Sequence, residues 1–168
     1  AGLWQKPEPS ARELAGKQPE LGAAEHKALA REAVSKSLVL LKNEKNILPL
    51  NHNSRVLVVG GAADDLGKQT GGWSLTWQGT ENKRADFPGA QSMLDAIRTT
   101  VGKDNVLVDA KSLDLKTAKP DVAIMVMGED PYAEWFGDIP DNKTLAYSEL
   151  KSSYHDDLLT LKKLKAAG

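Results

Sequence analysis

Trp73 and Trp77, two of the four tryptophans in the chain, lie in a stretch that begins with Gly71-Gly72 and ends with Gly79. An indole is a large, flat, apolar plate with a single N–H donor. On a loop between glycines, such a plate is poorly placed to fill a core and well placed to stack on a flat apolar ligand. Sugar rings offer such a face, and their hydroxyl groups suit Gln78 and nearby carboxylates. From the residues alone, an equally good interpretation is that the tryptophans cover a hydrophobic edge.

A second cluster, Glu129 to Glu134, holds three acidic residues within six positions, including Asp130. Mutual repulsion and partial burial are expected to raise the pKa of one of them. Glycoside hydrolysis uses a carboxylic acid with a raised pKa to protonate the leaving oxygen. It generally also needs a second carboxylate across the bond, whose position the sequence does not show. The alternative is a solvated acidic loop.

Both clusters follow apolar runs that are typical of buried parallel strands. The predicted strands are 55–60, 106–108 and 121–128. Helical periodicity predicts helices over 25–42, 92–101 and 148–167, the last with an inner stripe of Leu150, Tyr154, Leu158, Leu161 and Leu164. Alternating strands and helices predict an α/β fold with a mostly parallel sheet, in which ligands bind at the carboxyl ends of the strands. We therefore expect the two loops to lie at the same edge.

A dinucleotide-binding fold is the first rival, because the first strand runs into Gly60-Gly61. The following residues, Ala-Ala-Asp-Asp, depart from the pattern G-x-G-x-x-G. No helix is predicted directly after the glycines, so no helix N-terminus is placed to bind a phosphate. Asp109, after the second strand, comes too late in the chain to bind a ribose. These departures argue against a nucleotide site.

The composition excludes several classes of site. The formal net charge of −1 gives no electrostatic case for nucleic acid, and no apolar run approaches the ~20 residues of a membrane span. There are no cysteines, and the histidines, His26, His52 and His155, lack metal-ligand spacing. We expect no metal and no cofactor. Asn142-Lys143-Thr144 fits a glycosylation acceptor, a short pattern that is common by chance.

Four stretches of the chain resemble the second domain of glycoside hydrolase family 3, the family of β-glucosidases and β-glucan exohydrolases. They are residues 26–43, 48–50, 65–79 and 128–134. The Gly-Gly-Trp to Trp-Gln-Gly stretch and the Gly-Glu-x-Pro-Tyr-x-Glu loop are specific to the exo-glucan-hydrolase branch. The resemblance implies an (α/β)6-type sandwich domain with a mostly parallel sheet, incomplete at its C-terminal end.

The resemblance also implies roles for individual residues in a retaining hydrolase that releases glucose from the non-reducing ends of β-glucans or oligosaccharides. Glu134 is expected to be the general acid/base, with Glu129 as the fallback. Trp77 is expected to stack on the sugar next to the cleaved bond, with Trp73 lining the same cleft. The nucleophile, an aspartate, would come from a preceding (β/α)8-type barrel.

No barrel is present in the sequence. Residues 1–24 are rich in proline, glycine, alanine and charge, and we interpret them as a linker that leaves the missing barrel. Residues 25–168 are interpreted as a partial sandwich domain, inactive without its barrel partner. The family implies a secreted or periplasmic location. A non-catalytic carbohydrate-binding or structural module is the alternative. A β-N-acetylglucosaminidase is disfavoured, because that branch usually takes its acid/base from the barrel.

Overall fold

The computed structural model describes residues 2–108, 114–141 and 144–168. Asp109 and the first two residues of the Asn142-Lys143-Thr144 sequence lie outside the described residues. The chain divides into two compact units, one ending at Pro49 and the other beginning at Leu50. Among the described residues, no helix is long and apolar enough to cross a membrane.

The first unit contains a single α-helix among its described residues, α1 (Ala24–Ser37), preceded by short 3-10 turns at Leu3–Gln5 and Pro9–Ala11. The prediction that this helix continues to residue 42 is wrong, because Leu38 is already extended, with φ −67° and ψ 137°. The Ser37 hydroxyl donates to the Val34 carbonyl at 2.9 Å, which competes with the last turn of a helix. The apolar run that follows suits extended backbone as well as helix, so periodicity could not decide between them. The linker role of residues 1–24 stays a prediction.

The second unit contains the sheet, and its strand order among the described residues is β2-β1-β3, all parallel. The strands are β1 (Val56–Val59), β2 (Val106–Val108) and β3 (Val122–Met125). Val56 of β1 is opposite both Val106 and Val122. All four residues of β1 are buried, as predicted for a central strand of an α/β sheet. The predicted parallel α/β architecture is therefore confirmed.

The two faces of β1 pack into separate hydrophobic clusters, because alternate side chains of a strand point to opposite sides. On one face, Val56 and Val58 pack with Ala63 and Leu94. On the other face lie Leu57 and Val59, with Leu164 packed against them.

In the described part of the second unit, five further helices flank or connect the strands: α2 (Leu66–Thr70), α3 (Met93–Val101), α4 (Leu115–Ala118), α5 (Tyr147–Leu150) and α6 (Ser152–Ala167). The bounds of α3 agree with the predicted 92–101 to within one residue because its signals are local. Ser92 accepts from the backbone N–H of Asp95, whose carboxylate accepts from Ser92 in return, and Gly102 ends the helix.

The predicted last helix, 148–167, is instead two helices. Lys151 interrupts it with extended backbone, φ −146° and ψ 152°, and its ammonium group donates to Asp130 at 2.7 Å. The inner stripe also differs from the prediction, since Leu161 is exposed and Asp157 is buried. Periodicity places apolar residues on the inner face and does not anticipate a buried acid with hydrogen-bond partners.

Candidate active site

The tryptophan loop, residues 71–79, begins where α2 ends. Asp65 caps α2 by accepting from the Lys68 backbone N–H at 3.0 Å. The backbone N–H of Trp73 donates to the backbone carbonyl of Trp77 at 2.8 Å, a hydrogen bond within the loop. Gly72 approaches the other loop so closely that a Cβ there would lie 1.9 Å from the Tyr132 carbonyl oxygen. A glycine is therefore required at the point where the two loops meet.

The tryptophan loop and the carboxylate loop, residues 129–134, are in direct contact, as the sheet topology predicts. Gln78 binds the main chain of the second loop twice. Its side-chain amide donates to the Glu134 carbonyl at 2.8 Å and accepts from the Ala133 N–H at 2.8 Å. The Trp77 indole Nε1–H donates to the Glu134 carboxylate Oε2. One side chain thus holds the backbone of Glu134, and another holds its carboxylate.

Glu129 has a different partner. A hydrogen bond to Glu129 is the main cause of a raised pKa of the Tyr132 hydroxyl, with the charge of Glu129 adding to it. The two glutamates expected from the sequence to be acid/base candidates therefore have different interaction partners. Glu134 lies against Trp77, whereas Glu129 interacts within its own loop.

The third acid, Asp130, is not the one whose pKa the clustering of acids would raise. Partial burial by itself would raise the pKa of Asp130, but hydrogen bonds and charges from Lys151 and Lys68 outweigh it and hold the pKa below its usual value. Lys68 Nζ lies 3.0 Å from one carboxylate oxygen and Lys151 Nζ 2.7 Å from the other. Asp130 is therefore a charged structural group between two lysines.

A partly buried polar network, which was not among the sequence-based predictions, holds the base of the carboxylate loop. The Asp130 N–H donates to the Tyr154 hydroxyl at 2.5 Å. The neighbouring Tyr147 hydroxyl donates to Asp157 at 2.8 Å, and Asp157 also accepts from the Gly61 N–H at 3.0 Å. Burial, followed by the hydrogen bond to Asp157, raises the pKa of Tyr147, so its hydroxyl stays protonated and remains a donor. A sequence signal did exist, since Asp157 interrupts the apolar face of α6.

Three indoles form a row beside Glu134, which we call the aromatic row: Trp73, Trp77 and Trp135. The ring centroids of Trp73 and Trp77 are 6.0 Å apart with planes at 46°, and those of Trp77 and Trp135 are 4.7 Å apart at 68°. Their exposed fractions are 70%, 43% and 65%, respectively. Within the described residues, the row therefore fills no core. Trp135 was not among the predicted site residues.

This arrangement combines a carboxyl group with exposed apolar plates, which suits proton transfer to a bound ligand that has flat apolar faces. Within the part of the chain that the structure describes, no group of three histidine or acidic side chains is placed to hold a metal ion.

Comparison with known proteins connects this site to a family. Residues 38–164 match the model of the glycosyl hydrolase family 3 C-terminal domain. The chain is 34% identical over 158 residues to a lysosomal β-glucosidase of Dictyostelium discoideum, covering 83% of this chain and 19% of that protein. It is also 34% identical over 111 residues to a probable β-glucosidase L of Aspergillus terreus, covering 60% of this chain and 14% of that protein.

Solved structures give the same result. An exo-1,3/1,4-β-glucanase from a Pseudoalteromonas species superimposes with a TM-score of 0.79 at 46% identity, covering 98% of this chain and 20% of that one. A mutant of the same enzyme gives a TM-score of 0.81 at 47% identity, with 98% and 26% covered. The chain thus spans about a fifth of the length of the first curated relative and about a quarter of the solved mutant chain. By its match over residues 38–164, the chain belongs to glycosyl hydrolase family 3 and lies in that family's C-terminal domain.

Proposed function

We propose that the protein containing this chain is a retaining exo-acting β-glucosidase or β-glucan glucohydrolase. It releases glucose from the non-reducing ends of β-glucans or β-gluco-oligosaccharides. The relatives support this substrate class, because they are named β-glucosidase and exo-1,3/1,4-β-glucanase. This chain supplies the general acid/base, Glu134, and an aromatic surface for the leaving part of the substrate.

The observation that carries the proposal is the contact between Trp77 and Glu134. The indole N–H orients the glutamate carboxylate at an exposed aromatic surface. Gln78 holds the main chain around the glutamate through two hydrogen bonds of 2.8 Å. A general acid needs such orientation, since it must lie within hydrogen-bond reach of the oxygen that it protonates. Glu129 interacts instead with Tyr132 in its own loop, so Glu134 is preferred.

In the proposed mechanism, an aspartate from another domain attacks the anomeric carbon, and Glu134 protonates the departing glycosidic oxygen. A covalent glycosyl-enzyme forms, and the aglycone leaves. Glu134, now ionised, takes a proton from water as that water attacks the intermediate. In retaining enzymes the two carboxyl groups lie about 5–5.5 Å apart, so the other domain must bring its aspartate to the exposed side of Glu134.

The first prediction concerns Glu134→Gln in the complete protein. Glutamine retains the shape but cannot protonate a leaving group, and general acid catalysis is typically worth ~10²–10⁴ in rate. We expect a loss of that size in kcat/KM for a β-glucan disaccharide. A much smaller loss is expected for an aryl β-glucoside whose leaving group needs no proton. Steady-state kinetics with both substrates measures the difference.

Glu129→Gln is the matched control, because Glu129 is a glutamate of the same loop. We expect that variant to retain most of its activity on both substrates. Equal losses on the two substrates in Glu134→Gln would argue against Glu134 as the acid. A loss in Glu129→Gln that depends on the leaving group would transfer the role to Glu129. Full activity in both variants would favour a carbohydrate-binding module without a catalytic residue.

A further inference from the structure

Trp135 is a bulky residue with unfavourable backbone geometry and an exposed side chain. Its φ is 67°, in the left-handed region that large side chains rarely occupy. Such a conformation is unfavourable and persists only where the surroundings impose it. Since 65% of Trp135 is exposed, packing of its side chain in a core does not explain why an indole stands there.

The backbone on both sides of Trp135 is held in place. The Phe136 N–H donates to the Glu134 carbonyl at 2.8 Å, and the Asp138 N–H donates to the Trp135 carbonyl at 3.0 Å. Gly137 packs so closely against Tyr132 that a Cβ there would lie 2.3 Å from the ring. The turn therefore presents the Trp135 indole outward in a defined position.

The indole of Trp135 continues the surface formed by Trp77. The two rings meet edge to face with centroids 4.7 Å apart, and Trp77 binds the carboxylate of Glu134. A general acid faces the leaving part of its substrate. A substrate that is extended on that side would pass the ring of Trp77 and reach a second aromatic ring.

We propose that Trp135 is a specificity-determining residue that contacts a sugar unit beyond the one next to the cleaved bond, and that it favours longer β-gluco-oligosaccharides over disaccharides. This inference rests on the proposed function. The apolar faces of successive sugar rings present the flat surfaces that an indole covers with little loss of side-chain entropy. The proposal adds Trp135 to the substrate contacts expected of Trp73 and Trp77.

The test is Trp135→Ala in the complete protein, measured on a matched series of oligosaccharides from disaccharide to pentasaccharide and on an aryl β-glucoside. We expect a loss in kcat/KM that grows with chain length, about tenfold for the tetrasaccharide and no more than about threefold for the disaccharide. The matched control is Phe136→Ala, because Phe136 is a neighbouring aromatic residue of similar exposure. We expect its loss, if any, to be the same at every length.

Two outcomes of the kinetic experiment overturn the proposal. A loss of the same factor on every substrate would mean that Trp135 only supports Trp77 or contacts another part of the protein. No loss on any substrate would mean that Trp135 contacts no sugar. If the wild-type protein hydrolyses no β-glucoside, the proposed function fails by itself. Calorimetric titration of the wild-type and Trp135→Ala proteins with the tetrasaccharide then tests the sugar contact, and equal affinities refute it.

Discussion

At the scale of single residues, some side chains of the candidate site orient Glu134 and others form its aromatic surface. Gln78 and Trp77 hold the main chain and the carboxylate of Glu134, respectively. Trp77 has a second feature, since its ring lies between those of Trp73 and Trp135. It therefore combines a hydrogen-bond donor and an apolar plate, and these two properties can be separated by mutation.

We predict that Trp77→Ala in the complete protein raises the KM for a β-glucan disaccharide about tenfold and also lowers kcat, because it removes both a stacking surface and the N–H donor to Glu134. The matched variant is Trp77→Phe, which retains a ring but loses the N–H donor to Glu134. We expect it to retain most of the affinity and to lose kcat alone, because the carboxylate is less well oriented. Steady-state kinetics separates the two effects. An unchanged KM in Trp77→Ala would contradict the stacking role.

At the scale of elements, the carboxylate loop is held by helices as well as by the strand that it follows. Lys68 of α2 reaches Asp130 and the Gly128 carbonyl, the latter at 3.3 Å. Lys151, between α5 and α6, binds the other carboxylate oxygen of Asp130. Since α2 leads directly into the tryptophan loop, Asp130 couples the positions of the two loops that build the site.

Asp130 makes stability depend on pH. Because its pKa is lower in the folded state than its unfolded value of about 3.9, its contribution is present above that value and is lost as the pH falls through the folded pKa. We predict that Asp130→Asn lowers the free energy of unfolding by about 1–2 kcal/mol at pH 7, since partial exposure weakens the ion pairs but two lysines lose a partner. Melting temperatures measured from neutral pH down to about pH 2 should fall less steeply in the variant than in the wild type.

The control for this prediction is Asp104→Asn, at an exposed aspartate in a turn before β2. We expect this variant to retain both the stability and the pH slope of the wild type. If Asp130→Asn retained the wild-type slope, the ion pairs with Lys68 and Lys151 would contribute no stability in solution.

At the scale of the whole molecule, β1 organises the second unit. Its alternate side chains pack into the two hydrophobic clusters, one on each face of the sheet. Among the described strands, β1 lies in the middle, with β2 on one side and β3 on the other. The tryptophan loop follows β1 and the carboxylate loop follows β3, so the pairing of these two strands brings the loops together. The stability of this sheet therefore determines the geometry of the site.

We predict that Leu57→Ala, in the complete protein, destabilises the fold by about 2–5 kcal/mol, because Leu57 is fully buried and its truncation leaves a cavity. Leu145→Ala is the matched control, since the same atoms are removed from an exposed leucine. Urea unfolding measures both variants, and the control is expected to stay within about 0.5 kcal/mol of the wild type. Equal losses in the two variants would show that β1 is not the core of the domain.

The sequence alone was sufficient for the α/β class, the three parallel strands, the bounds of α3 and the meeting of the two loops. These features depend on local signals, such as continuous apolar runs and the capping pattern at Ser92, together with the general rule that loops at the carboxyl ends of parallel strands share an edge. The match over residues 38–164 confirms the family, whereas the roles that its motifs suggest for individual site residues stay predictions.

Only the tertiary structure decided which partner each acid takes. Glu134 meets Trp77 across 57 positions of sequence, and Asp130 meets Lys68 across a similar distance along the chain. No periodic pattern encodes such pairs, because they depend on how loops from different strands pack against one another. The same reason explains the break at Lys151 and the place of Trp135 in the aromatic row. Local propensity permits several conformations there, and long-range contacts select one of them.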